Sequence, residues 1–174
     1  MNHLKIYLFI ISLISFSLFS CNSDNNDSDD DMNKVSGTIT LTGEETSEIG
    51  TSLKVGNILE GAEQTGTSLS VTLLHENVKI VDGQITPSNP ANTFVIVVAK
   101  FSTQSVATKT VSMAINVNGD EYKFACTTPK TGNFTECGSG FDVDQNGNKV
   151  TFNDTTVINT DTGKILTMNG VITW

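Results

Sequence analysis

Short runs of alternating apolar and polar side chains dominate the chain from about residue 33 onward. The clearest are residues 35–41, 52–59 and 68–74, which are rich in Val, Ile and Thr. Successive side chains of a strand point to opposite faces, and β-branched residues suit a pleated surface. These runs therefore predict strands. The 3.6-residue apolar repeat that marks an amphipathic helix is not found, and residues 60–67 hold one helical turn at most.

One run differs from the others because it does not alternate. Residues 94–99 are apolar throughout, which predicts a central strand covered on both faces. Pro87 and Pro90 precede this strand, and we place both in a loop.

Two Asn-Gly pairs predict β-hairpins in the second half of the chain. Asn118-Gly119 lies between alternating runs and is the preferred pair for a two-residue type I′ turn, and Asn146-Gly147 is interpreted in the same way. The first turn pairs Ile115 with Tyr122 and Met113 with Phe124 on one face. The second pairs Val143 with Val150 and Phe141 with Phe152 on the buried face, and Asp144 with Lys149 and Asp142 with Thr151 on the other.

These signals define the fold class as all-β. A third turn is predicted at residues 161–163, and a last strand at 165–174 with a bulge at Asn169-Gly170. About nine or ten short strands in this length favour a single antiparallel β-sandwich, with a closed β-barrel as the alternative.

The chain begins with an apolar segment that has the features of a signal peptide. Residues 6–19, about 14 in number, are almost wholly apolar, which is short of the roughly 20 needed to span a bilayer. The run ends at Leu18-Phe19-Ser20-Cys21, which resembles the lipobox of bacterial lipoproteins, although Phe19 is larger than the residue that motif prefers. The resemblance implies that residues 1–20 are removed and that Cys21 is lipidated. A short membrane anchor or a buried helix is the alternative.

The residues after Cys21 are polar and acidic. Residues 22–31 contain no apolar side chain, so we expect residues 21–32 to form a disordered, solvated tether ahead of a folded domain at 33–174. The acidic run resembles the export signal of surface lipoproteins of the Bacteroidetes. That resemblance implies an outer-membrane protein held by its lipid anchor and exposed at the cell surface. An acidic spacer without an addressing role is the alternative.

Charge and histidine content exclude several classes of function. The net charge is −9, and all ten basic residues are lysine. Proteins that bind nucleic acid usually show the opposite balance, with arginine at the phosphates, so we expect no nucleic-acid partner. His3 lies in the predicted signal peptide, which leaves His75 alone in the mature chain. A multi-histidine metal centre is therefore nearly excluded, and His75 is predicted at a strand edge.

Cys126 and Cys137 form an even pair in a chain that is expected to be exported, where disulfides persist. The turn residues between them predict a strand, a loop and a return that a disulfide closes. A zinc site is the rival interpretation, but no two further Cys or His residues exist to complete four ligands.

Asp142, Asp144 and Asn146 form the opening of a calcium-loop pattern, D-x-D-x-N-G. The twelfth position is Asn153 where that loop has a bidentate Glu, and the flanks alternate as strands. The predicted hairpin explains the same residues without a metal. We expect no metal and no other cofactor, with Ca²⁺ as the alternative.

Aromatic residues that could hold a ligand are few in the predicted mature chain. Tyr122 is assigned to the core face of its hairpin, whereas Trp174, the last residue, is either a core plug or an exposed platform for a sugar. Trp174 is thus the one candidate ligand-binding residue. Glu136, Asp142 and Asp154 are acids of the turn-rich half, and we assign no catalytic residue.

Together these features predict a cell-surface lipoprotein that acts as a non-catalytic binding or accessory module, with polysaccharide capture as the expected role. One alternative is a module that docks another envelope protein through exposed strand edges. The second alternative is a small glycan-active enzyme that depends on a carboxylate pair.

Overall fold

A computed structural model describes Val35 and residues 37–61, 70–102 and 107–174. The predicted signal peptide, Cys21 and the acidic tether lie outside the described residues, as does most of the segment 60–67.

The described chain consists of strands and one short helix, so the predicted all-β class is confirmed. In chain order the elements are β1 (Thr38–Gly43), α1 (Thr46–Ile49), β2 (Ser52–Glu60), β3 (Ser70–His75), β4 (Val78–Val81), β5 (Gln84–Pro87), β6 (Thr93–Ser102), β7 (Ala107–Val117), β8 (Asp120–Thr128), β9 (Thr135–Glu136), β10 (Asp142–Asp144), β11 (Lys149–Asn159) and β12 (Ile165–Thr173).

Eight of these strands close into an antiparallel barrel, which is the alternative architecture that the sequence left open. Their order around the barrel is β1-β2-β3-β6-β7-β8-β11-β12, and β12 pairs with β1. The ring closes where β11 meets β8 at two registered pairs, Ile158 with Ala125 and Asn159 with Phe124. Each strand thus neighbours the next barrel strand in the sequence, and β4–β5 form a separate two-stranded ribbon.

The barrel interior is filled by apolar side chains. Phe94, Phe124, Phe141 and Phe152 are the largest of them, and each is at most 2% exposed. The rings of Phe141 and Phe152 stack with their centroids 5.7 Å apart. Ile49 of α1 is buried in the same cluster, so this short helix contributes to the core despite having no apolar repeat of its own. The interior is therefore a packed core, and ligand sites must be sought elsewhere.

The hairpin at Asn118-Gly119 has the predicted register, with Ile115 opposite Tyr122 and Met113 opposite Phe124. Asn118 and Gly119 both have positive φ, 53° and 94°, as a type I′ turn requires. Tyr122 packs partly against the core, as its assigned face implies.

The second hairpin has the predicted register but a different turn. Asp142, Val143 and Asp144 pair with Thr151, Val150 and Lys149. The connection spans residues 145–148, and the positive φ falls on Asn148 instead of Gly147. The Asp144 carboxylate accepts a hydrogen bond from the Gly147 amide at 3.0 Å, and this side-chain contact favours a longer turn. The interpretation of Asn146-Gly147 as a two-residue type I′ turn was wrong for that reason.

Three further expectations need correction. Residues 94–99 do form a central strand, but Val95 and Val97 are half-exposed on its outer face. Pro87 belongs to β5, where it pairs with Val78 at the end of a ribbon that is only two strands wide. The bulge lies on β11, where two residues oppose Asn169, and not at Asn169-Gly170 of β12.

Candidate functional site

A cavity of about 630 Å³ opens beside the last residues of β2. The β4 strand of the ribbon forms a second wall, and Trp174 borders the cavity from the end of β12. The lining residues are Val35, Asn57, Ile58, Leu59, Glu60, Lys79, Ile80, Val81 and Trp174. We call this feature the Trp174 cleft.

The pairing of β2 explains why a cleft exists here. β1 pairs with β2 from Thr38 to Thr40, and the Val55 amide donates to the carbonyl of Gly37 at 3.2 Å. Beyond Val55, no strand in the described part of the chain pairs with β2 on this side. A bulge at Gly56 shifts the register at the same place. The end of β2 is therefore free to face the cleft.

The ribbon that forms the second wall is held firmly at its base. The side-chain amide of Asn77 donates to the Asn92 carbonyl at 2.8 Å, and its oxygen accepts from the Thr93 hydroxyl at 3.1 Å. The side-chain amide of Asn57 donates to the Val78 carbonyl. Leu74 and Val78 are both at most 1% exposed. The ribbon is thus anchored to the barrel by hydrogen bonds and apolar packing.

Trp174 is intermediate between the two roles that the sequence left open. Its side chain packs partly against the core and also lines the cleft. The indole Nε1–H donates a hydrogen bond to Oε1 of Glu60, and the backbone amide donates to the Asn148 carbonyl at 3.2 Å. These bonds fix the ring at the cleft border. It is a half-buried wall residue rather than a freely exposed platform.

Sequence reasoning missed the contribution of β4 to this site. The sequence pattern predicts no strand at Lys79, Ile80 and Val81, which belong to β4. The Asp82-Gly83 dipeptide is the sequence signal for this ribbon, because Asp-Gly is a preferred pair for a type I′ turn. In the structure both residues have positive φ, 51° and 74°, as that turn requires. No local sequence pattern indicates Glu60 as a site residue, because its hydrogen bond with Trp174 joins positions 114 residues apart in the chain.

His75 lies at the end of β3, as predicted. Its ring packs edge-on against Phe94, with the ring centroids 5.1 Å apart. Its Nδ1 accepts a hydrogen bond from the backbone amide of Asn77 at 3.0 Å. A smaller cavity of about 240 Å³ adjoins the ring, and no carboxylate is among the described residues that line it. The geometry therefore gives His75 no orienting acid there.

The acids of the calcium-loop pattern have protein partners. The Asp142 carboxylate lies 2.7 Å from Lys109 Nζ and 3.8 Å from Lys100 Nζ. Partial burial opposes ionisation, but the hydrogen bond and charge of Lys109, with Lys100 and the Val143 amide, outweigh it and lower the pKa of Asp142. Among the described residues, no three His, Cys, Asp or Glu side chains are grouped to hold a metal.

The other acids singled out from the sequence are engaged locally. Glu136 accepts a hydrogen bond from the Lys130 amide at 2.8 Å. Asp154, in the β11 bulge, accepts one from the side-chain amide of Asn169 at 3.2 Å. Neither residue lines the Trp174 cleft.

Cys126 and Cys137 are placed at disulfide geometry, with their Cα atoms 5.0 Å apart and both residues fully buried. The arrangement fits the predicted disulfide. It links the end of β8 to the segment after β9, and the Cys137 carbonyl accepts from the Thr156 amide of β11 at 3.2 Å.

Comparison of the chain with protein-family models, with curated proteins and with solved structures finds no significant match. Within the described residues, no helix has the length and apolar character to cross a membrane.

Proposed function

We propose that this protein is a surface-exposed outer-membrane lipoprotein, anchored through Cys21, whose barrel is a non-catalytic module that binds carbohydrate at the Trp174 cleft. The lipobox-like residues and the acidic run support the location. The cleft supports the binding role.

The single observation that carries the binding role is the position of Trp174 on the border of a ligand-sized cavity. Small-molecule sites are concave and mostly apolar, with a few polar groups that fix orientation. An indole ring offers a large apolar face that the C–H groups of a sugar can cover. Glu60, Lys79 and Asn57 provide the polar groups around it.

The acidic content of the described cleft lining favours binding over catalysis. Glycoside hydrolysis usually needs two carboxyl groups that flank the scissile bond. Glu60 is the only acidic residue among the described residues that line the cleft, and its Oε1 already accepts the indole N–H.

Tryptophan fluorescence tests the proposal directly, because Trp174 is the only tryptophan in the chain. Titration of residues 33–174 with a panel of soluble polysaccharides should shift or quench the emission with at least one of them. The same ligand at about 100 times its Kd should raise Tm by about 5–10 °C. Trp174→Ala should lose binding by calorimetry, whereas the exposed-site control Lys130→Ala should retain it. A panel that leaves both emission and Tm unchanged contradicts carbohydrate binding.

The location has its own test. Cys21→Ala should release the protein from the membrane fraction. Replacement of Asp29, Asp30 and Asp31 by Ala should protect it from protease added to intact cells. Surface exposure that is unchanged in the triple variant contradicts the addressing role of the acidic run.

A docking role is the second candidate, and Phe134 is the observation that favours it. Its ring is 38% exposed and borders two shallow depressions of about 390 and 360 Å³ on the outer barrel wall. Val95, Val97, Ala114 and Ala125 form the apolar floor of one of them. Photo-crosslinking from position 134 in intact cells should yield one defined adduct, and Phe134→Ser should abolish the same adduct formed from position 114.

A further inference from the structure

The lining of the Trp174 cleft is more aliphatic than a sugar ring alone would require. Among the described lining residues, one aromatic ring is accompanied by five aliphatic side chains, those of Val35, Ile58, Leu59, Ile80 and Val81. An unsubstituted hexose has hydroxyl and hydroxymethyl substituents, and the C–H groups of its ring faces are its only apolar surface. It would therefore leave much of this aliphatic surface without an apolar partner.

The polar groups of the cleft are few and of opposite kinds. Glu60 uses Oε1 to accept the indole N–H, and within the described residues its other oxygen, Oε2, has no hydrogen-bond partner. Lys79 likewise forms no ion pair with any described residue. The cleft thus offers one strong acceptor and one strong donor beside an aliphatic wall.

We propose, on the basis of the carbohydrate-binding role above, that the Trp174 cleft selects sugars that carry an N-acetyl group. The acetamido substituent combines the three features that the cleft can match. Its methyl group packs on the aliphatic wall at Ile58 and Ile80. Its N–H donates to Oε2 of Glu60, and its carbonyl accepts from the Lys79 ammonium. The sugar ring then lies against Trp174.

The charge of Glu60 and Lys79 favours this ligand over a uronic acid or a free amino sugar. A ligand carboxylate would gain from Lys79 but would be repelled by Glu60, and a ligand ammonium would meet the reverse arrangement. A neutral group with both a donor and an acceptor satisfies the two side chains together.

The test uses pairs of oligosaccharides that are identical except for an acetamido or a hydroxyl group at carbon 2. Binding to residues 33–174 is followed by the fluorescence of Trp174 and by calorimetry. The acetamido member should bind about tenfold or more tightly, which is the scale set by one methyl group together with matched hydrogen bonds.

Glu60→Gln is the decisive variant, because the amide oxygen can still accept the indole N–H while the NH₂ group replaces the open acceptor. It should reduce the preference severalfold, because the methyl contact and the Lys79 bond remain, whereas Glu44→Gln, an exposed glutamate outside the cleft, should leave the preference unchanged. Equal binding of both members in wild type overturns the selectivity but leaves carbohydrate binding standing. A preference that Glu60→Gln leaves undiminished overturns the assigned hydrogen bond. Binding of neither member in any pair overturns the proposed function itself.

Discussion

Glu45 is a buried carboxylate, 3% exposed, next to the equally buried Asn159. The side-chain amide of Asn159 donates to Glu45 Oε2 at 2.9 Å, and the Thr162 hydroxyl donates to Oε1 at 3.1 Å. Lys164 Nζ lies 3.8 Å from the same carboxylate. A buried charge is tolerated when it is paired and hydrogen-bonded, so these contacts join the residue before α1 to the β11–β12 turn.

Asn159→Ala should therefore be strongly destabilising. It removes the donor to Glu45 and also the oxygen that accepts the Asp161 and Thr162 amides at 2.9 and 3.0 Å. Loss of a partner of a buried charged group predicts a decrease of about 3 kcal/mol in the free energy of unfolding. Urea denaturation measures it. Asn133→Ala, at an exposed position, should change stability by less than about 0.5 kcal/mol, and equal effects of the two variants would contradict the role of the cluster.

The ion pair between Asp142 and Lys109 predicts a small acid-dependent loss of stability. The pKa of Asp142 in the folded protein is lowered from its ordinary value of 3.8. Its contribution is therefore complete above about pH 4 and is lost as the pH falls through the lowered value. Solvent screens this half-exposed pair, so the contribution is about 0.5 kcal/mol.

Asp142→Asn measures that contribution. Wild type should be the more stable at pH 7 in low salt, and the difference in Tm should be smaller at pH 2 and in 1 M salt. Asp161→Asn, which alters an exposed acid outside this ion pair, serves as the control. A Tm difference that is the same at both pH values would exclude the ion pair as its cause.

At the scale of elements, Gly56 determines how closely the ribbon can approach the barrel. A Cβ at this position would lie 2.7 Å from the Cβ of Glu76 and closer still to its Cα, at the point where the chain leaves β3. Backbone atoms of Glu76 cannot move without shifting the start of β4. Gly56 thus permits the chain between β3 and β4 to pass close to β2, which places β4 at the cleft.

Gly56→Ala should destabilise the protein by about 1–3 kcal/mol, as overpacking typically does, and weaken ligand binding at the Trp174 cleft. Thermal unfolding and the emission of Trp174 report the two effects. Gly83→Asn, at the open tip of the same ribbon, should change neither by much, because Asn tolerates positive φ. A silent Gly56→Ala variant would show that the ribbon is free to adjust.

The elements that the sequence predicted correctly share one property, which is that local signals specify them completely. The hairpin at Asn118-Gly119 combines a turn dipeptide with two alternating runs, so turn and register support each other. The turn at residues 145–148 was not predicted correctly, because it depends on the hydrogen bond from the Gly147 amide to the Asp144 side chain, which residue types alone do not indicate. The α1 helix was not predicted, because four residues are too few to show a periodic pattern.

The Trp174 cleft was less predictable than the strands. Trp174 itself could be singled out because it is the only residue of its kind. Glu60 and Val35 join it because β1 pairs with both β12 and β2, which brings the end of β12 near the end of β2. No local pattern encodes that contact, since it depends on the strand order of the whole sheet.

At the scale of the whole molecule, the barrel is unevenly paired. β6 and β7 share ten registered pairs, whereas β8 and β11 share the two that close the ring. Away from those two pairs, β9 lies along β8 and β10 lies along β11. The Cys126–Cys137 disulfide holds the segment between β9 and β10 to β8, and the hydrogen bond from the Thr156 amide to the Cys137 carbonyl holds the same segment to β11. The disulfide therefore supports the weakest part of the barrel wall.

Reduction should consequently open the β8–β11 junction before the rest of the barrel. A disulfide that closes a loop of this length contributes about 3 kcal/mol in the chain-entropy model. With Cys126 and Cys137 both changed to Ala, hydrogen exchange should accelerate most at the Thr156 amide and along β8 and β11. The amides between β6 and β7 should keep their protection until global unfolding. Wild-type protein kept oxidised is the reference, and an equal acceleration in every strand would show that the disulfide stabilises the barrel only as a whole.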